Sequence, residues 1–540
     1  MFARCSLHAL FGFVAGLAGC WSPSVNKDSA DQQVYGILER ATAKVVGEPR
    51  VVHVERPVDT LRARLLTSME PITLSLAEAL DVAAENSRDF QRQKEQLYLA
   101  ALDLTRDQHE FELIFGAGVS PNTSGEADPA ADEEYNLALG DELSASVNSV
   151  YGTQVVASFV NTFLRSLIHG GGIDPSSILN LTITQPLLRG AGRRIVREPL
   201  TQSERNVVYA VRDFERFRAE FAVRVVGDYW AAVAQMADLA NVEANHKTLA
   251  QSRVEIEELY NAGRRTVTDL GRAKQSEYSA DSQRVAAKNR LESTLDRFKL
   301  TLGLPVTAQV NLDPKELDRV TQQGVAKVEI DEAAAIALAL QRRFDHQTTI
   351  DAVEDAGRRI LVSEDALTMA LDFRAALNVP SESGSSLNLD WSRVNWSAGF
   401  ELDLALDKLA ERNAYRSALI SFDVAVRARE QSEDQIAADV RTSLRNIQSS
   451  IDSYTIQRFA VELAEKRVEA TTDLFAAGRV AALEKLDAQD ALLQAQLQLT
   501  ASIVDYANAR LDLINDLEAL RLDRQGLRFD PALPLPKPAE

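Results

Sequence analysis

Helical and extended patterns alternate along this chain, and the whole alternation occurs twice. Residues 76–112 carry apolar side chains at helical spacing, and the same pattern restarts at 330. Leu76-Ala77-Glu78-Ala79 through Arg88-Asp89-Phe90 matches Ile330-Asp331-Glu332-Ala333 through Arg342-Arg343-Phe344 without a gap. Later in each half comes a helix-patterned run of about sixty residues, 197–259 and 410–474, or roughly 90 Å of helix. Shorter runs, 267–302 and 480–520, return from them. Between outgoing and returning runs lie Tyr260-Asn261-Ala262-Gly263-Arg264 and Phe475-Ala476-Ala477-Gly478-Arg479. A glycine flanked by helical sequence predicts a hairpin turn, because glycine takes positive φ without a Cβ penalty. Asp269/Glu484, Ala273/Ala488 and Ala280/Ala495 extend the match, so the chain is an internal duplication with two equivalent helical tips.

The offset between halves is 330 − 76 = 254 at the first helix and 478 − 263 = 215 at the turn. The first half therefore holds 39 extra residues, and an acidic, low-complexity stretch at 125–134 marks the region. In the last helical run Leu493, Leu497, Val504, Leu511 and Ile514 step by 4, 7, 7 and 3, a coiled-coil-like seam and not a broad core face.

Each half also contains period-two stretches. Leu367, Met369, Leu371, Phe373, Ala375 and Leu377 alternate with mostly polar neighbours, as do Trp396, Ala398, Phe400, Leu402, Leu404 and Leu406. In the first half Leu179, Leu181 and Ile183 do so up to Gln185-Pro186-Leu187-Leu188-Arg189-Gly190. Its companion strand falls in 111–120 or 143–163, and the 39 extra residues leave room for a further hairpin. Two-faced strands of about ten residues fit a membrane β-barrel. A half-buried sheet in a soluble domain gives the same alternation.

Composition narrows the choice. Of 540 residues 45% are apolar but only 6% aromatic, which suits long helices joined along narrow seams. A net charge of −20 repels a phosphate backbone and excludes a nucleic-acid partner. The six histidines show no metal-ligand spacing, the glycines at 170–172, 190 and 192 follow no βαβ pattern, and no serine sits in a nucleophile elbow. No catalytic residue, metal site or cofactor is predicted, which disfavours an envelope hydrolase.

The amino terminus reads as a targeting segment. Arg4, an apolar run at 9–18 and Leu17-Ala18-Gly19-Cys20 resemble a bacterial lipobox, making Cys20 the lipid-bearing first residue after removal of 1–19. The plainer reading is a secretory signal with a chance cysteine. Trp21 stands where aspartate would direct retention in the inner membrane, so outer-membrane delivery is expected. Residues 20–71, with prolines at 23, 49, 57 and 71, read as an extended lipid-anchored tether. The repeats span 72–305 and 330–522, joined by a connection at 306–329, and 523–540 reads as a disordered tail. No stretch has the length of about eighteen apolar residues a membrane helix needs, so any crossing of a membrane must use strands.

Two strands per half are too few to close a barrel alone, since single-chain barrels begin at about eight. The lipobox, the duplicated helix–strand–strand–helix–helix order, the Gln185–Gly190 strand end and the twin glycine tips resemble the TolC-type outer-membrane efflux proteins, in their lipoprotein branch, over residues 72–520. The resemblance implies a mainly α fold with a transmembrane β part. It implies a homotrimer whose twelve-stranded β-barrel, four strands per protomer, continues as a periplasmic α-helical barrel. Its partners would be outer-membrane lipid, a periplasmic adaptor (membrane fusion) protein and an inner-membrane pump of RND or ABC type, for which the trimer is a passive exit duct. The alternative is a lipid-anchored periplasmic coiled-coil scaffold without a pore.

Carried over residue by residue, Glu484, Asp487 and Asp269 fall at the periplasmic gate. Ala262, Gly263 and Arg264, with Ala477, Gly478 and Arg479, form the tip turns that would dock the adaptor. The latch departs from the pattern: Val480 replaces an arginine two residues past the second glycine, and Phe475 replaces a tyrosine. Arg264 and Arg479 are the candidates for substitute contacts. Cargo is not specified by the sequence.

Overall fold

The computed structural model describes residues 23–57, 59–67, 71–126, 134–166, 174–316, 319, 330–404, 406–523 and 526–529. Cys20, the signal segment 1–19, half of the 306–329 connection and residues 530–540 lie outside the described residues. Before the second repeat, in chain order, come α1 (Pro23–Val46), α2 (Leu61–Thr67), β1 (Ile72–Leu74), α3 (Leu76–Asn86), α4 (Arg88–His109), β2 (Ile114–Glu126), β3 (Glu134–Asn148), β4 (Gln154–Ser166), β5 (Asp174–Pro186), α5 (Arg193–Val196), α6 (Glu198–Asn261), α7 (Val267–Thr301) and β6 (Val310–Leu312). The second runs α8 (Glu332–Arg342), α9 (Phe344–Asp365), β7 (Ala370–Pro380), β8 (Asn395–Asp403), α10 (Leu409–Ala476), α11 (Ala482–Asp516), β9 (Leu520–Asp523) and β10 (Gly526–Phe529). The elements divide into two compact units, one of residues up to Val52, Leu97–Val211 and Thr349–Arg429, the other of His53–Gln96, Arg212–Thr348 and Glu430 onward.

The first unit is built on one antiparallel sheet, β2-β3-β4-β5-β7-β8, paired in chain order. Six strands stand where four were expected. β2 and β7 start 370 − 114 = 256 residues apart, and β5 and β8 end 403 − 186 = 217 apart. The hairpin β3–β4 is therefore what the first repeat has in addition. The sheet has two chemically distinct faces. In register, Phe115, Ala145, Ala157, Leu181, Leu377 and Trp396 form one apolar row across all six strands. The next row, on the opposite face, is Gly116, Ser144, Ser158, Asn180, Asn378 and Asn395. The apolar face is interrupted by a polar row, Asp141, Asn161 and Ser177, in which the Asn161 amide donates to the Asp141 carboxylate at 2.8 Å.

The tether reading gives way in this unit. Pro23–Val46 is helical, and Val34, Ile37 and Leu38 are buried. Their helical spacing supplies a packed face that an extended segment would lack, and Pro23 sits at the first position, where a missing N–H costs nothing. Tyr35 meets Tyr98 of α4 edge-on at 5.9 Å between ring centroids, and the Tyr98 hydroxyl donates to Asp31.

The second unit shows the duplication in its caps. Ser75 caps α3 in a reciprocal box with Glu78, and Asp331 caps α8 by accepting from the Ala334 amide. These caps lie 331 − 75 = 256 apart, two more than the side-chain identities suggest. Buried Ala79 and Ala83 answer buried Ala335 and Ala339 at that same spacing, because the cap and the buried face fix the register while Ile330 stays before the helix. The seam of α11 is also wider than expected: Leu486, Leu493, Thr500, Ala507 and Ile514 are buried at strict seven-residue steps, with Ile503, Val504 and Leu511 beside them. The tail is not disordered throughout. β9 and β10 pair antiparallel, with Leu522 opposite Leu527 and Leu520 opposite Phe529, an alternation that favours a hairpin.

Candidate functional site

The two glycine turns close α6 and α10 in the same way. Gly263 has φ 68° and its N–H donates to the Tyr260 carbonyl, while the Arg264 N–H reaches back to Leu259 at 2.8 Å. Gly478 has φ 71°, with matching bonds from its N–H to Phe475 and from Arg479 to Leu474 at 2.8 Å. Both are Schellman closures, which satisfy terminal helix carbonyls only if the glycine position is left-handed. The next helix then starts. In the first tip Thr266 and Asp269 form a reciprocal capping box at α7; in the second, Ala481 offers no side-chain cap to α11.

The structure brings the two tips together. Leu249 and Ile256 of α6, Ala273 and Ala280 of α7, Phe475 of α10 and Ala482 and Leu486 of α11 form one buried cluster, with Val480 packed against it. Alanines at seven-residue spacing let the helices approach closely, and Phe475 fills the space they leave.

Around Phe475 lies a constellation that the sequence reading missed. The Arg265 guanidinium sits 4.3 Å from the Phe475 ring centroid, and the Lys485 ammonium sits 4.9 Å from it. Arg265 also donates to the carbonyl of Val480 at 3.2 Å and that of Phe475 at 3.5 Å. Lys485 is 5% exposed and forms a 2.6 Å ion pair with Glu255 of α6. Farther along, Ser252 of α6 and Gln489 of α11 hydrogen-bond within the seam. A ring flanked by one buried and one half-buried cation is held by its quadrupole and needs no hydroxyl. The expected substitutes, Arg264 and Arg479, are instead exposed. The clasp is made by Arg265, one residue further along, which carries its charge across to the second tip.

The three acidic candidates differ. Glu484 and Asp487 are exposed on the first turns of α11. Asp269 is committed locally: its carboxylate accepts from the Thr266 hydroxyl at 2.8 Å and the Thr266 amide at 3.1 Å, and these bonds hold it below the usual carboxylate range. Ala262, Gly263, Ala477 and Gly478 are exposed as well.

A second charged cluster in the same unit has no counterpart in the sequence reading. Gly303, after α7, and Glu518, after α11, are 518 − 303 = 215 residues apart, the spacing of the tip glycines, and both are left-handed, with φ 76° and 48°. Glu518 is held against Arg216 at 3.3 Å, and burial pushes its carboxyl up to about 7. Arg216 also meets Asp345 at 3.4 Å, and Arg343 bridges Asp345 at 2.6 Å and Asp439 at 3.2 Å. Among the described residues no group of acidic, histidine or cysteine side chains is placed to hold a metal, and no helix is long and apolar enough to cross a membrane.

A two-faced antiparallel sheet joined in sequence to paired helical hairpins is an arrangement similar to that of solved outer-membrane channels. Residues 335–521 match the sequence model of the outer membrane efflux protein family, and the TolC-type resemblance is borne out on that match together with the fold. The chain resembles the CmeC outer membrane channel of Campylobacter jejuni at 15% identity and a TM-score of 0.61, covering 82% of this chain and 85% of that one. It resembles VceC of Vibrio cholerae at 14% identity and 0.62, covering 82% and 95%. The open-state MtrE channel of Neisseria gonorrhoeae follows at 15% and 0.58, covering 82% and 88%. A sequence comparison with curated proteins finds no match. The matched family and structures are channel proteins and not enzymes.

Proposed function

We propose that this protein is the outer-membrane exit duct of a tripartite efflux or secretion system, working as a homotrimer anchored through acylated Cys20. The observation that carries the reading is the continuous two-faced sheet: an apolar row from edge to edge suits lipid, and the polar row beside it suits a wet lumen. Such a sheet cannot stay open in a bilayer, where unpaired backbone groups have no water. Helices supply further support. Ile456, Phe459 and Leu463 form an exposed stripe on α10, 55–70% accessible in the single chain, as expected of a seam against a neighbouring copy.

In this reading the paired tips are the periplasmic entrance. Exposed Ala262, Gly263, Arg264, Ala477, Gly478 and Arg479 dock an adaptor that couples the duct to an inner-membrane pump, and the pump supplies the energy. Glu484 and Asp487, repeated around the axis, would favour cations and repel anions. Asp269 faces the same opening with its carboxylate tied to Thr266. The test is membrane fractionation with gel migration before and after heating. A heat-modifiable trimer in the outer membrane supports the duct; a monomer that stays soluble without detergent overturns it in favour of a scaffold.

A further inference from the structure

Among the described residues of the single chain, the two ends of the sheet, β2 and β8, have no further strand beside them. Both are two-faced and aligned with the rows within: Phe115 of β2 ends the apolar row that Trp396 of β8 ends at the other side. We infer that β2 of one copy pairs with β8 of the next and that each copy contributes six strands, so that three copies close an eighteen-stranded barrel instead of a twelve-stranded one. This rests on the trimeric duct reading and adds the identity of the joining edges and the width of the pore.

Three observations place the additional hairpin in the wall. First, β3 pairs with β2 and β4 with β5 over 13 and 11 residues, at or above the roughly ten that span a bilayer. A hairpin folded outside would take β3 from beside β2 and β4 from beside β5, undoing both of these pairings. Second, the hairpin obeys the polarity of its neighbours: Val147, Ala145 and Leu143 of β3 lie opposite Val155, Ala157 and Phe159 of β4 on the apolar face. On the other face Ser144 and Ser146 lie opposite Ser158 and Val156. Third, the lumen side of β2 carries Gly116 and Gly118 opposite Ser144 and Glu142 of β3, and a Cβ on Gly116 would meet the Ser144 hydroxyl at 2.6 Å unless that side chain turned away.

The row Asp141–Asn161–Ser177 interrupts the apolar face, which resumes beyond it with Leu139 opposite Phe163. Because barrel diameter grows about linearly with strand number, eighteen strands give a barrel about 1.5-fold wider and about twofold larger in cross-section than twelve. The number of long helices is unchanged by the insertion, since each repeat keeps one outgoing and one returning helix. The insertion thus changes the strand count and leaves both helical hairpins as they are. The outer vestibule accepts solutes bulkier than a twelve-stranded barrel passes.

The test is native mass spectrometry for copy number, joined to cryo-electron microscopy of the full-length protein in nanodiscs for strand count. Three copies and eighteen strands, with β2 beside β8 of the neighbouring copy, are expected. Three copies and twelve strands, with residues 134–166 outside the barrel, would overturn the inference and leave the duct reading intact. Two copies closing twelve strands would overturn it also, through the copy number. A monomer without a barrel would overturn the duct reading first. A variant in which 134–166 is replaced by a short turn gives a second readout: polymers added on the outer side should be excluded at a smaller size than in the parent, and an unchanged cutoff in a folded trimer would contradict the wall placement.

Discussion

Replacing Phe475 by leucine separates ring electrostatics from apolar burial at the tip. Leucine keeps most of the buried volume within the cluster of Leu249, Ile256 and Leu486, and such a swap costs about 1 kcal/mol on packing grounds. It also removes the π face on which Arg265 and Lys485 rest, at 4.3 and 4.9 Å from the ring centroid. The contact to buried Lys485 is worth about 1–2 kcal/mol and that to half-buried Arg265 about 1 kcal/mol, so Phe475→Leu should cost about 3–4 kcal/mol in local closing. Phe475→Ala, with cavity formation in addition, should exceed it. Amide hydrogen exchange across the second tip is the assay, because the local opening free energy sets the rate when closing is fast. About 3 kcal/mol corresponds to an acceleration of roughly 100-fold for amides next to Gly478. A double-mutant cycle with Arg265→Gln should return a coupling of about 1 kcal/mol, since the bonds from Arg265 to backbone carbonyls cancel in the cycle. If Phe475→Leu exchanges within about threefold of the parent and the coupling is near zero, the clasp is apolar packing alone and the reasoning is refuted.

Further predictions concern the gate, the glycine after α7 and the buried carboxylate. Changing Glu484 and Asp487 together to glutamine and asparagine should lower the cation preference, read as a reversal potential nearer zero in a salt gradient; an unchanged potential removes them from the gate. Gly303→Ala should cost about 3 kcal/mol or more, because a Cβ at φ 76° would overlap the Asn86 carbonyl; a melting temperature equal to the parent's would contradict this. Glu518, raised by burial from 4.5 to about 7, favours the protonated folded state. Its contribution is fully present below about pH 4.5 and lost as pH rises through about 7, worth up to about 3 kcal/mol. Glu518→Gln should flatten the fall in stability over that window, and an unaltered slope in detergent-solubilised unfolding would argue against it.

The helices and tips were legible because two simple signals specify them: seven-residue apolar steps over some sixty residues, and a glycine between helical runs. The β3–β4 hairpin was harder to read. Its alternation is diluted by Asp141 and Asn161 on the apolar face, and these make sense only once they are seen to bond to each other. α1 was obscured by its flanking prolines, although Pro23 in a first turn is compatible with a helix and only the burial of Val34, Ile37 and Leu38 shows that one packs. At the tips the glycine turns were legible, whereas the cluster of Arg265, Phe475 and Lys485 was not. A lysine in a heptad seam reads as a solvated charge. Lys485 is buried because Glu255 and the Phe475 ring, far off in sequence, meet it together.

Single-channel recording from the purified full-length protein in planar bilayers bears most directly on the claim that this chain forms a gated duct. The account predicts small, cation-preferring unitary currents that fluctuate between closed and open levels, and longer openings in Phe475→Leu. Bilayers that stay silent with a folded, membrane-inserted oligomer, or currents that are already fully open and insensitive to the tip substitution, would contradict it.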